Sequence, residues 1–567
     1  MQIWRIPFGG GEAKQITSLY DGVEGFVISP KNTHLLVVRK VPPECKTEDC
    51  IKEKGEDKNM SNVKARIIDR LMYRHWNEWL EGKYSHLFLT SINGTNVMDI
   101  TPGPYHAPPL ALGSNHDYSF SPDGTEICYV SNHEEEIAIS TNNDVFTYSL
   151  KKGTSHKVSA SMGNDNNPQY SPDGKYIAFS SMERAGFEAD RQRLMIYNLT
   201  NQKTTELTAG FTLSIGNILW SPDSKRIYFT AEEKGNISVY SISLQTKKIL
   251  PVLKGHYVKG IKFIDDHTLL FSKQSSRKPY EIYSYDLDKM KLRPLTHFND
   301  DYLAKFTLPG YEEFWFRGAR GDSIHGFIMK PPHFEAEKKY PALHLIHGGP
   351  QGMWSNDWHY RWNYQMFASP GYVVYYINFH GSTGYSQKFT DSISRHWGDL
   401  PYEDLVIGTE YVLKNYDYID SDRLAAAGAS YGGFMVNWIA GHENPYQCLI
   451  SHDGTYDQKS MWGSTEELWF PEWEMGGLPW QEGTDYDKWS PARLAANFKT
   501  PTLIIHGEHD YRLPYTQGLQ YFSALQRQKV PSRLLFFPDE DHWVQKPQNA
   551  QLWWKTVHEW LETYLKK

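Results

Sequence analysis

Four cysteines in 567 residues are too few for a disulfide scaffold. Cys128 and Cys448 lie in apolar stretches and read as small buried hydrophobes. Cys45 and Cys50 flank a short polar segment and could close a small loop, which would imply an oxidising compartment. No second Cys or His pair at ligand spacing lies near them, so no metal is expected there. No uninterrupted apolar run is long enough to span a bilayer, which excludes membrane insertion by a helix. The opening stretch, Met1 to Gly11, has neither the basic start nor the apolar core of a signal peptide. Charge of one sign is scarce too. The formal charge is −8, from 59 Lys and Arg against 67 Asp and Glu, and it is spread along the chain. That balance argues against nucleic acid or an anionic membrane as the main partner.

What is present is the composition of a water-soluble globular protein, 40% hydrophobic and 22% charged, with a mean hydropathy of −0.59. The length exceeds what one hydrophobic core supports, so at least two domains are expected. Aromatic content is high, 14% with 19 tryptophans, which suits antiparallel sheets and apolar substrate pockets.

Three segments nearly superimpose: Phe120 to Val130, Tyr170 to Phe179 and Trp220 to Phe229. Their serines, Ser121, Ser171 and Ser221, are 50 residues apart each time. Each segment has an aromatic, a Ser-Pro-Asp turn and an alternating strand, and a second hairpin follows. Four short strands per repeat of this length predict the blade of a β-propeller. Degenerate copies at Ile28 to Val37 and Phe263 to Phe271 extend the array. The step from Ser29 to Ser121 is 92 residues, 42 more than one repeat, and locates an insertion near residues 42–83. Within it Ile68, Leu71, Met72, Trp76 and Trp79 or Leu80 share one helical face, so a helix is expected to project from that blade. Residues 1 to 17 correspond to the last hairpin of a further blade. Five whole blades and one partial blade are therefore expected over residues 1–309, an N-terminally incomplete propeller whose missing part would carry any targeting signal.

From about residue 310 the pattern changes to short apolar strands separated by helical stretches, as in Ala342 to His347, Val373 to Ile377 and Thr502 to His506. Strands buried on both faces predict a mainly parallel sheet in an α/β domain over residues 310–567. Gly428-Ala-Ser-Tyr-Gly432, between Leu424-Ala-Ala-Ala427 and an apolar helix, reads as a nucleophile elbow of an α/β hydrolase with Ser430 at its tip. That fold places its acid and histidine on later loops. Asp510 follows the strand ending at His506, and His542 follows Arg533 to Phe537. Ser430, Asp510 and His542 are the expected catalytic triad. Asp539, Asp541 and Glu508 read as solvated loop carboxylates. The oxyanion hole is expected from the backbone N–H of Tyr431 and from His347-Gly-Gly-Pro350, with Gly349 preferred and Gly348 the alternative. This acyl-transfer chemistry calls for neither metal nor organic cofactor.

Together His347-Gly-Gly-Pro350, Gly381-Ser-Thr-Gly-Tyr385, Gly428 to Phe434, His506-Gly-Glu-His-Asp510 and Asp541-His542 resemble the prolyl oligopeptidase family of serine peptidases, in which a propeller caps a hydrolase domain. Asp69 to Trp79, Ser85 to Phe88 and His542 to Asn549 are most similar to its dipeptidyl peptidase branch. The resemblance implies release of N-terminal dipeptides whose second residue is alanine or another apolar residue, from peptide or oligopeptide substrates. It also implies a periplasmic or secreted location, with a cytoplasmic one and a homodimer left open. Acylaminoacyl peptidase or oligopeptidase activity is the alternative within the family, and a noncatalytic propeller binding protein the alternative outside it. Two departures stand out: Phe379-His380 replaces a more usual Pro-Arg, and Asn77 stands where aspartate is common. Dipeptide release needs a carboxylate for the substrate ammonium, and Glu78 or Glu81 on the expected helix is the candidate. By the same resemblance Arg512 would bind a substrate carbonyl, and Tyr431, Trp462 and Leu513 would line the specificity pocket.

Overall fold

The computed structural model describes residues 1–60, 62–114 and 116–566, the side chains of 58–60 excepted. Residues 1–309 carry three four-stranded antiparallel sheets, one eight-stranded sheet in which two four-stranded antiparallel units join at a single parallel pairing of Ile237 with Tyr257, and two two-stranded sheets, Trp4–Arg5 with Lys14–Gln15 and Arg74–His75 with Glu78–Trp79. The repeated serines explain why the blades recur at fixed spacing. Ser121, Ser171 and Ser221 each donate to the turn aspartate, Asp123, Asp173 or Asp223, at 2.7 Å. Each hydroxyl also accepts the amide that opens the next strand, from Glu126, Tyr176 or Arg226. The turn is thus closed from within its own sequence.

The insertion departs from expectation. Its helix, α1, spans Glu48–Met60, upstream of the expected position, and the Cys45–Cys50 disulfide joins its first turn to the loop before it. Residues 68–81, expected as a helix, instead form a hairpin that pairs Arg74–His75 with Glu78–Trp79. Helical spacing did not correspond to one buried face, since Ile68 and Leu71 are exposed while Met72 is buried. Met72, Trp76 and Glu81 adopt left-handed backbone, which a helix does not allow. Long-range bonds replace those of a helix: the Trp76 N–H donates to Glu466, and the Trp76 carbonyl accepts from the Tyr511 amide at 3.1 Å.

The C-terminal domain is built on one eight-stranded sheet: β1 (Tyr311–Arg317), β2 (Ser323–Met329), β3 (Tyr340–Ile346), β4 (Val373–Asn378), β5 (Ile419–Ala429), β6 (Tyr446–His452), β7 (Thr502–Gly507) and β8 (Ser532–Phe537). Their order is β1-β2-β4-β3-β5-β6-β7-β8. The pairings β1–β2 and β2–β4 are antiparallel, and all the others are parallel. Apolar clusters cover both faces, as the near-continuous apolar strands require. The carboxyl ends of β5, β6, β7 and β8 lead to residues 430, 453, 510 and 542, so one edge of the sheet collects the chemistry. The propeller docks there through Arg184 to Asp391 at 2.8 Å, Glu188 to Trp469 Nε1 at 2.8 Å and the Lys234 amide to Gly384 O at 3.0 Å.

Candidate active site

Ser430 sits between the end of β5 and the start of helix α2 (Tyr431–Ala440), at φ 59° and ψ −122°. This left-handed backbone is a strained position for a side-chain-bearing residue, of the kind a nucleophile elbow imposes. Its flanking glycines are required by close approach. A Cβ on Gly428 would strike the Gly432 carbonyl, and one on Gly432 would strike the Ile346 carbonyl. Because α2 begins at Tyr431, its first N–H groups have no intrahelical partner. Gly348 packs against the same residue, where an added Cβ would lie 3.0 Å from Ser430 Cβ. Gly349 has φ 126°, open only to glycine. Gly348, Gly349, Ser430 and Tyr431 line one cavity of about 490 Å³ together with His542.

Asp510 is fully buried at the loop after β7. One carboxylate oxygen accepts the Leu513 amide at 2.8 Å and the other lies 2.6 Å from His542 Nδ1. Burial alone would raise the Asp510 pKa, but the His542 charge and hydrogen bond outweigh it and the net shift is downward. Burial likewise works to lower the His542 pKa, and Asp510 and Asp453 overcome it, so the imidazole is raised above its ordinary value. The Ser430 hydroxyl makes no hydrogen bond among the described residues, and such contacts commonly tighten only with substrate. Asp453, directly after β6, is a buried second acid that sequence reasoning missed. It faces His452 Nε2 at 2.8 Å, His506 Nε2 at 3.7 Å and His542 Nδ1 at 3.8 Å. Burial, reinforced by Asp510, raises its pKa. The two carboxyls behind His542 are thus pushed in opposite directions, Asp510 toward the charged form and Asp453 toward the neutral one.

A second charged group lies at the cavity wall. Arg512 Nε bonds Glu466 at 3.1 Å and its Nη2 forms an ion pair with Glu467 at 2.6 Å, while His75 lies 3.0 Å from Glu467. Glu188 reaches the same cavity from the propeller, held by Trp469 Nε1. Burial, then the charge of Glu467, raises the pKa of Glu188. Two clusters bring histidine and carboxylate ligand atoms together, His75–Glu466–Glu467 and Asp453–His506–Asp510. In the first Arg512 already balances the carboxylates, and in the second Asp510 holds His542.

The structure brings Ser430, Tyr431, Gly348, Gly349, Arg512, Leu513 and His542 to one cavity. It does not bring Glu78, Glu81 or Trp462 there. Glu78 pairs with Lys40 at 2.8 Å and Glu81 lies 3.6 Å from Arg66, because the hairpin presents them away from the serine. Trp462 bonds Glu472 at 3.2 Å and packs edge-on to Trp480. Asp539 pairs with Lys546, and Asp541 accepts from Asn77 at 2.6 Å. An aspartate at position 77 would set two carboxylates against each other. Cavity residues that sequence reasoning missed include Trp76, Glu188, Tyr257, Arg361 and Trp543. Trp543 sits beside His542 and was the one legible from its place in the chain. The others arrive from distant segments.

Comparison with known proteins bears on this geometry. The profile described as the prolyl oligopeptidase family matches residues 358–567, and one described as a TolB beta propeller domain matches residues 116–307. A dipeptidyl-peptidase 5 of Porphyromonas endodontalis is 35% identical over 100% of this chain and 83% of its own length. The chain belongs to the prolyl oligopeptidase family. Membership makes it a hydrolase of the serine-peptidase type. A dipeptidyl-peptidase 5 of Schizosaccharomyces pombe is 39% identical over 59% of this chain, a match spanning about half, 49%, of that relative. Among solved structures, an acylaminoacyl peptidase of Pyrococcus horikoshii shares the fold, with a TM-score of 0.84 at 21% identity, over 100% of this chain and 85% of that one. Among the described residues no helix is long and apolar enough to cross a membrane.

Proposed function

We propose that this chain releases dipeptides from the amino terminus of peptides by acyl transfer through Ser430. Ser430 attacks the carbonyl, His542 takes its proton and returns it to the leaving amine, and Asp510 holds the imidazole by Nδ1–H and stabilises its cation. The Tyr431 N–H and one from Gly348-Gly349 receive the developing oxyanion. Water then repeats the sequence on the acyl-enzyme and frees the dipeptide. Tyr431, Phe470 and Leu513 at the cavity wall supply an apolar site for the second residue, in place of a pocket that includes Trp462.

The observation that carries this reading is the cluster of Glu188, Glu466 and Glu467 around Arg512. Three carboxylates meet one guanidinium and one imidazole, which leaves negative charge in surplus beside the cavity. A substrate ammonium satisfies that surplus and measures two residues to the serine, with Glu188 the anchor in place of Glu78 or Glu81. Full-length likeness to a dipeptidyl-peptidase 5 supports it. The Cys45–Cys50 bond supports a periplasmic or secreted location.

Free-amine and N-acetylated Ala-Ala anilides test the reading by steady-state kinetics. The free amine is expected to be the better substrate by roughly tenfold to hundredfold in kcat/KM, the range of a charged hydrogen bond. Preference for the acetylated compound would establish acylaminoacyl peptidase activity instead. Failure of a fluorophosphonate probe to label Ser430 would leave a noncatalytic binding protein.

A further inference from the structure

Arg361 differs from every other charged group at the cavity. It is half-buried, yet its guanidinium makes no hydrogen bond or ion pair among the described residues. Its guanidinium lies over the Trp543 ring, 4.7 Å from the ring centre. Burial lowers its pKa, with Asp453 and Asp541 acting only from a distance. Arginine stays charged in a protein, so a desolvated guanidinium without a counter-ion is unfavourable unless an anion arrives. Arg512, by contrast, is already neutralised by Glu466 and Glu467.

Its position gives the source of that anion. Arg361 and Trp543 line both the serine cavity and a second cavity of about 380 Å³ that also involves Tyr360, Trp553 and Trp554. A row of groups crosses the site. Arg512 lies over Trp76 at 5.4 Å, Trp76 is edge-on to His542 at 5.6 Å and to Trp543 at 4.9 Å, and Arg361 covers Trp543. The carboxylate-rich end at Arg512 suits the substrate ammonium. The leaving amine must take its proton from His542, so the leaving fragment extends to the other end of the row. One residue spans about 3.5 Å, which makes Arg361 a receptor close beyond the cleaved bond.

We propose that Arg361 binds the C-terminal carboxylate of the leaving fragment, so that the preferred substrates are short peptides ending one or two residues past the cleaved bond. This inference rests on the dipeptide-releasing reading for the direction of the chain. A guanidinium meets a carboxylate bidentately, and a longer substrate with only neutral residues at those positions places no full negative charge there.

The test compares Ala-Ala-Ala and Ala-Ala-Ala-Ala with their C-terminal amides, using the whole chain. Wild type is expected to favour the acids by roughly tenfold to hundredfold in kcat/KM in at least one pair. Arg361→Met is expected to erase that ratio, and Arg361→Lys to keep part of it. The ratio within each variant cancels general damage to folding. Equal cleavage of acid and amide by wild type in both pairs, or a ratio that survives in Arg361→Met, would overturn the inference. If the Ala-Ala anilide is cleaved while the acid and amide do not differ, the dipeptide reading stands and only the role of Arg361 fails. If only acetylated substrates are cleaved, the dipeptide reading fails, and N-acetylated acid and amide pairs decide the role of Arg361 by the same ratio.

Discussion

His542 carries a positive bias from its neighbours, and the pH behaviour of the enzyme follows from it. The reaction needs a neutral imidazole, while Asp510 and Asp453 favour the protonated one. The acid limb of kcat/KM is therefore expected above the ordinary histidine value of about 6.5, with activity falling as pH drops through it. A pH–rate profile on a dipeptide anilide checks this, and an acid limb below that value would contradict the geometry. His380, where Pro-Arg is usual in the family, shows the same logic in a structural role. Its Nδ1 lies 2.6 Å from Asp404 and its Nε2 lies 3.1 Å from Asp322. Burial works to lower its pKa, but the two carboxylates outweigh it and the net shift is upward, toward the protonated imidazole.

The inserted hairpin is the element that joins blade to active site. Trp79 Nε1 donates to the Tyr511 hydroxyl at 3.0 Å, Arg74 donates to the Ser464 carbonyl, and Trp76 meets the His542 ring. None of these contacts is local, which is why apolar spacing in the sequence suggested a helix and the fold supplies a hairpin. Trp76→Ala removes a ring that packs on the base but leaves the two-residue strands intact. It is expected to lower kcat/KM by about tenfold, the worth of one aromatic contact, with little change in melting temperature. Steady-state kinetics beside a thermal melt separates this from unfolding. The elbow is the opposite case. Its strand, glycines and helix are contiguous, and the sequence alone announces it.

Across the whole molecule the cavity is shared. The C-terminal domain contributes Ser430 and His542, with Asp510 buried behind the histidine, while the propeller contributes Glu188 and Tyr257 and its insertion contributes Trp76. Arg184 sets this relation. It bridges Asp190 on its own loop and Asp391 across the interface, and Glu188 lies between Arg184 and Asp190 in the chain. Arg184→Ala is expected to release that loop and raise KM for free-amine substrates several-fold more than it changes kcat, as follows from the proposed binding of the ammonium to Glu188. A KM that stays at the wild-type value would separate the interface from substrate binding.

Repeats of local turn chemistry and the chain order Ser430, Asp510, His542 were written in the sequence, because a Ser-Pro-Asp turn, a glycine-flanked elbow and the loop after a buried strand depend on near neighbours. So were Gly348 and Gly349, by their place after β3. Only the tertiary structure decided which carboxylates reach the cavity and which do not. Glu188, Glu466, Asp453 and Arg361 look like ordinary charged residues along the chain. Burial, which changes the energy of a charge, exists only once distant segments have packed around it.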